Sequence, residues 1–495
     1  MKGTRQPFEI KDFSGGLVTK SPYKNIDPRH SVDCENVYSE GAVLRKRLGI
    51  TLVNPTAASG QGNGVYNWFR DSSSQWLLGV WGTALFKMDV VSSAWDGSWD
   101  AVVAHSASGS AFTGGFVHFA NYNGVLLMTT ENRDTPQRMT SAESSYFNLI
   151  TGGAGTAPAA KYCTVWKNHA WFLNLTGSED RVVHSGVNSY NEFTSDTYGT
   201  NDILTDGDIG ITGHYQFYGN LYTTKKWSIQ KWTYTGSVSP LVSISYLNTR
   251  IGTQSPRTIQ NVNTPEGERV IFLGTNRKLH IFDGYDALDI SDKIDVSNGL
   301  ANVYMQNINA KTLNNCFAVV HADLNWYECF VCVGTLTTPT YSIVYDYVLK
   351  SFWTMSNRNF TYGAISDDGG GIRKVYAQHV SNGKMYVLNS STSDDGTSIN
   401  SWWTSSKLGQ SITLQRIDEI EVETESVVCT PTFQWRADWE TAWVSQTMAA
   451  STNSHNWAPN RIDNLIQFKI VDDSTTASFK IWTIIGSQRG IGGGQ

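Results

Sequence analysis

The sequence predicts an all-β protein built around a β-propeller. The 495-residue chain contains 44 glycines, 18 tryptophans and 22 tyrosines, while charged residues make up only 17%. That balance favours short strands and tight turns over helices. Aromatic and β-branched runs recur between Gly, Asn, Asp and Ser, with no helical heptads. Recurring units of roughly 40 to 60 residues, each of a few antiparallel strands, are typical of propeller blades.

The recurring unit reads as a hairpin of strand, turn and strand. These hairpins occupy residues 75–89, 116–130, 162–176, 214–234, 269–290, 316–355 and 372–390. Between Gly64 and Ser391 we expect about six to eight irregular blades. The spacing from unit to unit is uneven, so a large β-sandwich or a set of tandem sandwiches is the alternative.

Two of the hairpins share a turn with the same chemistry. Asp283 in "LHIFDGYDALDI" and Asp346 in "SIVYDYVLKSFWTM" each follow an aromatic residue at the end of a strand. An Asp at such a corner hydrogen-bonds the backbone of its own turn. The sequence therefore predicts equivalent positions for these residues in two copies of one structural unit.

Changes in composition divide the chain into three predicted parts. These are an N-terminal arm with a hairpin (1–60), the propeller (61–391) and a C-terminal β-sandwich-like domain with a flexible tail (392–495). The stretch "NSSTSDDGTSIN" reads as a linker between the last two parts. After it, "RIDEIEVET" alternates apolar and charged residues, which is typical of a strand with one solvated face.

Charge and hydropathy exclude several classes of function. The net charge of -6 argues against a protein that grips nucleic acid by neutralising phosphates. No apolar run approaches the roughly 18 residues needed to span a bilayer, and "MKGTRQPFEIKD" lacks the apolar core of a signal peptide. We therefore expect a soluble protein that is made in the cytosol and has no membrane partner.

The six cysteines are scattered, which does not fit a disulfide-stapled secreted domain. Cys329 and Cys332 have a metal-like spacing, but they lie in the apolar run "WYECFVCVGTL". Positions three apart in a strand face opposite sides. The sequence predicts buried free thiols rather than a metal site, and it indicates no cofactor.

Candidate catalytic residues are limited to acidic turns. Paired carboxylates would be required for glycoside hydrolysis. The clusters to weigh are Asp202, Asp206, Asp208, Asp367, Asp368, Asp394 and Asp395. All lie in turn or linker sequence, where Asp is favoured for backbone hydrogen bonding alone, so we expect no catalytic residue and no enzyme.

The opening stretch, "FSGGLVTKSPYKNIDPRHSVDCENVYSEGAVLRKRLGI", contains a turn, an extended passage and a hairpin in succession. Gly15 and Gly16 make a turn, Pro22 and Pro28 keep the chain extended, and "ENVYSEGAVLRKRLG" forms a hairpin. Its apolar residues are too few for a core. Such an arm gains stability by lying against another domain or subunit.

This stretch resembles the start of the tail nozzle and packaged-DNA stabilisation proteins of short-tailed bacteriophages. The resemblance rests on F-x-G-G-L, the pair Asn36-Val37, a Gly-containing turn and the K-R-x-G signature at residues 46–49. The propeller-like middle and "WWTSSKLGQSITLQRIDEIEVET" are similar to that family as well. Related sequences also occur in tail or connector proteins of other phage types.

The resemblance implies a structural virion protein of the tail, assembled in the cytoplasm of the host bacterium. It would form a ring, expected to be a hexamer, below the portal and adaptor, where it extends the DNA channel and closes it until ejection. Its implied partners are the adaptor or head-to-tail connector ring, tail fibre or needle proteins, and DNA that passes without sequence-specific binding.

Under this interpretation the N-terminal arm contacts a neighbouring subunit or the adaptor, and solvated surface charge is the alternative. The predicted contact residues are Phe13, Gly15, Gly16, Leu44, Arg45, Lys46 and Arg47. The competing function is a propeller that binds or hydrolyses carbohydrate, as a receptor-binding tail protein or a glycosidase. "SAWDGSWD" matches the Asp-box repeat of some such propellers only in part.

Overall fold

Seven four-stranded antiparallel blades surround a common axis in the computed structural model, which confirms the predicted β-propeller and places the blade count within the expected range. The structure describes residues 5–490 with a set of gaps. The gaps are 21–25, 72–73, 92–93, 105–111, 144, 151–154, 194–198, 203–207, 209, 238–239, 248–249, 369, 410–414, 426–428, 439, 451 and 476–477.

The blades follow the chain in order, each running from the axis outward. Blades 1 to 3 comprise Gly62–Phe69, Gln75–Trp81, Ala84–Val91 and Asp100–Ala104; Val117–Tyr122, Val125–Thr130, Gln137–Met139 and Tyr146–Leu149; and Ala160–Trp166, His169–Leu175, Ser178–His184 and Gly199–Asp202. Blades 4 and 5 comprise Gly213–Phe217, Asn220–Thr224, Ile229–Tyr234 and Val242–Leu247; and Gln260–Thr264, Gly267–Leu273, Leu279–Phe282 and Ala287–Asp289. Blades 6 and 7 comprise Phe317–His321, Trp326–Val331, Tyr341–Asp346 and Ser351–Ser356; and Phe360–Asp367, Arg373–His379, Met385–Ser391 and Gly49–Leu52.

Smaller elements complete the propeller. A two-residue strand, Ala94–Trp95, pairs with the third strand of blade 1. Short 3₁₀ turns lie at Pro256–Thr258, Asp292–Ile294, Met305–Asn307 and Leu313–Asn315. Side-chain amides join the first strands of adjacent blades, as when Gln260 Nε2 donates to Ala318 O at 2.9 Å and Asn261 Nδ2 donates to Gln216 O at 3.1 Å.

The last blade is closed by a strand from the start of the chain. Gly49–Leu52 pairs antiparallel with Met385–Ser391, with Thr51 opposite Val387. The predicted division at residue 60 did not anticipate this pairing. The closing strand links the two ends of the propeller sequence and removes a free edge.

The rest of the N-terminal arm shares a β-sandwich with the C-terminal strands. One sheet contains Arg5–Ile10, Val37–Glu40, Val43–Lys46, Gln415–Thr424, Ser454–Trp457, Arg461–Asp463 and Lys480–Gly490. The other contains Gly16–Leu17, His30–Glu35, Ser401–Ser405, Leu408–Gly409, Thr432–Ala437, Val444–Thr447 and Leu465–Asp472. The arm has too few apolar residues for its own core, so it completes the sheets of residues 392–495, and the two predicted end parts form one folded unit.

The two aspartate corners are confirmed. Asp283 Oδ1 accepts hydrogen bonds from the backbone of Tyr285 and Asp286 at 2.9 and 3.0 Å. Asp346 Oδ1 accepts from the backbone of Val348 and Leu349 at 2.9 and 2.8 Å. Both lie where the third strand of a blade ends, so the shared sequence pattern marks a repeated turn.

The cysteine prediction also holds, since all six thiols are free and buried. Within the described ranges, no three His, Cys, Asp or Glu side chains are grouped so that they could hold a metal ion. Nor does that part of the chain contain a helix with the length and apolar character needed to cross a membrane.

Candidate functional site

Two adjoining cavities lie at the propeller axis, on the face that carries the blade-to-blade connections. The hub cavity, about 180 Å³, is lined by His118, Tyr162, His214, Pro256, Arg257, Ile259, Gln260, Phe317, Tyr362 and Gly363. The mouth cavity, about 210 Å³, is lined by Arg133, Lys161, Tyr162, Asn174, Glu179, 210–212, Gln254, 310–311, Leu313 and Asn314. Tyr162 lines both. Propellers commonly bind ligands at this position, so it is the first place to look for a site.

Arg257 is the cation of the hub cavity lining. It lies in the 3₁₀ turn between blades 4 and 5. Its Nη1 donates to Thr361 O at 2.5 Å and its Nη2 to Asn314 O at 2.8 Å. The guanidinium lies 3.3 Å from the ring centroid of Phe116, a cation–π contact that fixes its plane.

The two histidines and two tyrosines of the hub cavity are held neutral by burial. Burial lowers the pKa of His214 to about 4, and it lowers the pKa of His118 well below its ordinary value. Burial raises the pKa of Tyr362 to about 12 and that of Tyr162 well above the usual range. At neutral pH these four side chains therefore offer hydrogen bonds but no charge.

The mouth cavity is more strongly charged. Arg133 donates to Glu179 Oε1 at 2.5 Å and to Asn174 Oδ1 at 2.7 Å. Lys161 Nζ lies 3.7 Å from Glu131 Oε1. Glu179 thus lines the mouth beside Arg133, and Glu131 lies beside the lining residue Lys161. The lining offers a polar ligand an amide, a carboxylate and two cations.

Among the aspartates weighed from the sequence, Asp208, Asp367 and Asp368 are described with their side chains, and none of them lines either cavity. Asp208 accepts hydrogen bonds from the backbone N–H of Trp227 and from Ser228 Oγ, between blades 3 and 4. Asp367 and Asp368 lie at the first hairpin of blade 7, on the opposite face, because successive connections in a blade alternate between faces. Asp202 lies in a strand end whose side chains are not described, and Asp206 lies outside the described residues.

Four predicted contact residues of the arm are buried within the chain. Phe13 packs edge-on against Trp403 with ring centroids 5.1 Å apart. Gly16 has φ of 68°, and a Cβ there would lie 2.7 Å from Phe352 O; at Gly15 it would lie 2.8 Å from Arg29 O. Leu44 is fully buried. The F-x-G-G-L pattern is therefore explained by packing inside the chain.

The basic cluster is split by the fold. Arg45 pairs with Glu40, and its side chain is 23% exposed. Lys46 forms a buried ion pair with Asp472 and donates to Ser474 O at 2.7 Å. The expected contact with a partner stays a prediction for Arg45. For Lys46 and Arg47 it needs correction, because both side chains are fully buried against carboxylates of the same chain.

Arg47 lies at the sandwich–propeller joint, which we define as Asn36, Arg47, Ser356 and Asp394. Its Nη1 and Nη2 donate to the two carboxylate oxygens of Asp394 at 2.8 and 2.6 Å, and its Nε donates to Asn36 Oδ1 at 2.7 Å. Asn36, at φ of 57°, donates to Ser356 Oγ at 2.8 Å. A bidentate, desolvated pair of this kind is strongly directional.

A second buried ion cluster lies in blade 6, close to the joint. Glu328 accepts from Ser342 Oγ at 2.6 Å, and its carboxylate lies 3.2 Å from Arg358 Nε and 2.8 Å from His321 Nε2. Burial alone would raise the pKa of Glu328, but Arg358 and His321 outweigh it and lower the pKa to about 2. The ionised form is therefore the one that the native state stabilises.

This lowered pKa predicts an acid-dependent loss of stability. The contribution of Glu328 is complete above its unfolded pKa, near 4.5, and is lost as the pH falls toward 2. We expect it to account for about 3 kcal/mol of the free energy of unfolding. Urea unfolding between pH 7 and 2.5 measures it. The difference between wild type and Glu328→Gln should shrink with acid, and a constant difference would contradict the assignment.

Glu35 shows the opposite behaviour. Burial, with Asp33 nearby, raises the pKa of Glu35 to about 7 despite a hydrogen bond from Ser356. Because the folded pKa lies above the unfolded one, stability is expected to fall as the pH rises from about 4.5 through 7. Glu35→Gln should be more stable than wild type by up to about 3 kcal/mol at pH 8 and equal to it at pH 4. The exposed control, Glu40→Gln, should show no such gain in the same denaturant titration.

Sequence reasoning missed the residues of the axis. Arg257, Glu131 and Glu179 come from three separate connections and turns, and no local motif marks them. The available signal was only that Arg257 follows a proline in a polar stretch between two hairpins. Side chains from different blades meet at the axis because of the closed ring, which a local pattern does not encode.

No protein-family model and no curated protein matches the sequence. Among solved structures, the chain is similar to the extracellular domain of a hybrid two component system from B. thetaiotaomicron, at 11% identity and a TM-score of 0.44, covering 86% of this chain and 60% of that one. It is also similar to BamB from Moraxella catarrhalis, at 11% identity and a TM-score of 0.37, covering 78% and 96%. An exo-β-1,3-galactanase from Phanerochaete chrysosporium matches at 7% identity and a TM-score of 0.26, covering 78% and 98%. This chain thus spans about three fifths of the first of these proteins, and similarities this distant carry no conclusion about activity.

Proposed function

We propose that this protein is a structural subunit of the tail nozzle of a short-tailed bacteriophage, forming a ring below the portal and adaptor and retaining packaged DNA until ejection. The observation that carries the proposal is the position of the residues on which the family resemblance rests. Nearly all of them occupy the sandwich or its joint with the propeller.

Each part of the motif has a structural requirement there. Asn36 has a left-handed backbone, and its backbone N–H donates to Thr354 O at 2.9 Å. Arg47 supplies the bidentate pair with Asp394. Gly49 admits no side chain, because a Cβ would lie 2.0 Å from Ser393 O. The motif therefore encodes the contacts between the propeller and the sandwich that both ends of the chain form. A family with the same motif is expected to share that architecture.

The charge and the small size of the axial cavities also fit a channel-forming subunit. The cavities at the propeller axis measure only about 180 and 210 Å³, so DNA would pass through the centre of the ring rather than through one propeller. The net charge of -6 gives a wall that does not retain phosphates. Rings of this kind arise when head-to-tail interfaces close.

The proposed contact of the arm with the adaptor can be tested at Arg45. Arg45→Glu reverses a partly exposed charge at the hairpin, and we expect it to weaken binding to the adaptor ring by about tenfold or more. The matched control is Lys11→Glu, whose side chain is 72% exposed on the other end of the arm. Surface plasmon resonance at two salt concentrations measures both. If Arg45→Glu and Lys11→Glu bind the adaptor ring equally well, the hairpin does not take part in the contact.

A second candidate function is carbohydrate binding or hydrolysis at the mouth cavity. It is favoured by Glu179, which lines the cavity beside an amide and two cations, and by Glu131, which lies next to the lining residue Lys161. A glycan array and an assay of reducing-end release distinguish the two functions. Hydrolysis that is abolished in Glu131→Gln or Glu179→Gln would replace the nozzle proposal with this one.

A further inference from the structure

The hub cavity contains a buried cation with an unusual environment. Five Lys or Arg side chains are buried in the described part of the chain, and four of them form ion pairs with carboxylates. These pairs are Lys46–Asp472, Arg47–Asp394, Lys225–Asp180 and Arg358–Glu328. Arg257 is the fifth, and among the described residues no carboxylate oxygen lies within 4.0 Å of it. A buried charge without a counterion is costly.

The hydrogen bonds of Arg257 do not supply that counterion. Nη1 and Nη2 donate to backbone carbonyls, and Nε has no hydrogen-bond partner although it is buried. The acidic group with the largest influence on Arg257 is Glu131, which lies across the mouth beside Lys161. The Phe116 and Tyr362 rings shield the guanidinium but leave its charge uncompensated.

A second polar group without a hydrogen-bond partner belongs to the lining of the same cavity. His118 lines the hub cavity, and its Nε2 is buried and lacks a hydrogen-bond partner among the described residues. Gln260 and His214 add polar groups to the lining. At about 180 Å³, the cavity has room for several water molecules or one small polyatomic ion. A cation and a neutral imidazole that converge on a polar cavity are suited to an anion with more than one acceptor oxygen.

We propose that the hub cavity binds a small oxyanion, a carboxylate or phosphate group, with Arg257 as its counterion and His118 as a hydrogen-bonding partner. The site is built by side chains from blades 2 to 7 and their connections, so an anion there would link opposite sides of the ring. The inference does not depend on the proposed role in a phage tail.

The test is thermal unfolding of the full chain in inorganic phosphate, in acetate and in sodium chloride at equal ionic strength. Phosphate or acetate should raise the Tm by a few degrees above chloride, since a ligand that binds only the native state stabilises it. The gain should persist in Arg373→Gln, an exposed control, and disappear in Arg257→Gln. No gain over chloride in wild type, or an equal gain in Arg257→Gln, would overturn the proposal.

A second variant gives a test that does not require Arg257→Gln to fold. His118→Phe keeps the ring volume and removes only the imidazole nitrogens, which carry no charge at neutral pH. Calorimetric titration with phosphate should show at least about tenfold weaker binding to this variant than to wild type. Unchanged affinity would refute the assigned role of His118. A folded wild type that binds neither phosphate nor acetate would refute the site itself.

Discussion

A chain that lacks residues 1–52 is expected not to fold to a native propeller. The deletion removes the outer strand of blade 7 and, at the same time, five of the fourteen strands of the sandwich. It exposes the edge of Met385–Ser391 and the apolar face against which Phe13, Val37 and Leu44 pack. An uncovered strand edge beside uncovered apolar surface favours aggregation. Circular dichroism, gel filtration and denaturant unfolding of the purified product measure the outcome.

The matched control is a chain that lacks only residues 1–11. That deletion removes one strand, Arg5–Ile10, which pairs with Lys480–Gly490 and leaves blade 7 closed. We expect this control to stay monodisperse and to unfold cooperatively. A cooperative, soluble 53–495 fragment with the strand content of wild type would show that the propeller closes without its N-terminal strand, contrary to the architecture described here.

Breaking the sandwich–propeller joint is expected to cost about 3–5 kcal/mol of the free energy of unfolding. Arg47→Met removes the guanidinium but keeps much of the apolar stem, leaving Asp394 and Asn36 without their main donor. The loss arises chiefly from a buried carboxylate without a counterion, because its desolvation is no longer compensated. Urea unfolding at pH 7 gives the value.

The double variant Arg47→Met/Asp394→Leu separates this cause from simple loss of packing. With both charges gone, no uncompensated charge remains, and we expect the double variant to recover most of the stability lost in Arg47→Met. A double variant as unstable as the sum of the two single variants would mean that the pair does not act as one unit at the joint.

Local features of the fold followed from the sequence, and long-range ones did not. Hairpins such as 269–290, and the turns at Asp283 and Asp346, are specified by residues within a few positions of each other, so their pattern is visible in the sequence. The closing strand Gly49–Leu52 pairs with residues more than 300 positions away. Its short apolar–polar alternation fits several partners equally well, so the sequence could not show that it belongs to blade 7.

The basic cluster was predicted to contact a neighbouring subunit or the adaptor, with solvated surface charge as the alternative. The sequence does not show that Lys46 and Arg47 are buried, because the acids that pair with them lie 426 and 347 residues away. Asp394 itself lies in a stretch that reads as a linker. Arg257 shows the reverse case, in which a single polar residue between hairpins becomes the central side chain of the axis once the ring closes.

The measurement that tests the central claim most directly is the mass of the full chain alone and mixed with the adaptor ring, by multi-angle light scattering followed by negative-stain imaging. The proposal predicts a closed ring on the adaptor, expected to contain six copies of this 54.9 kDa chain around one central opening. A chain that stays monomeric, ignores the adaptor and binds or cleaves a glycan would contradict it.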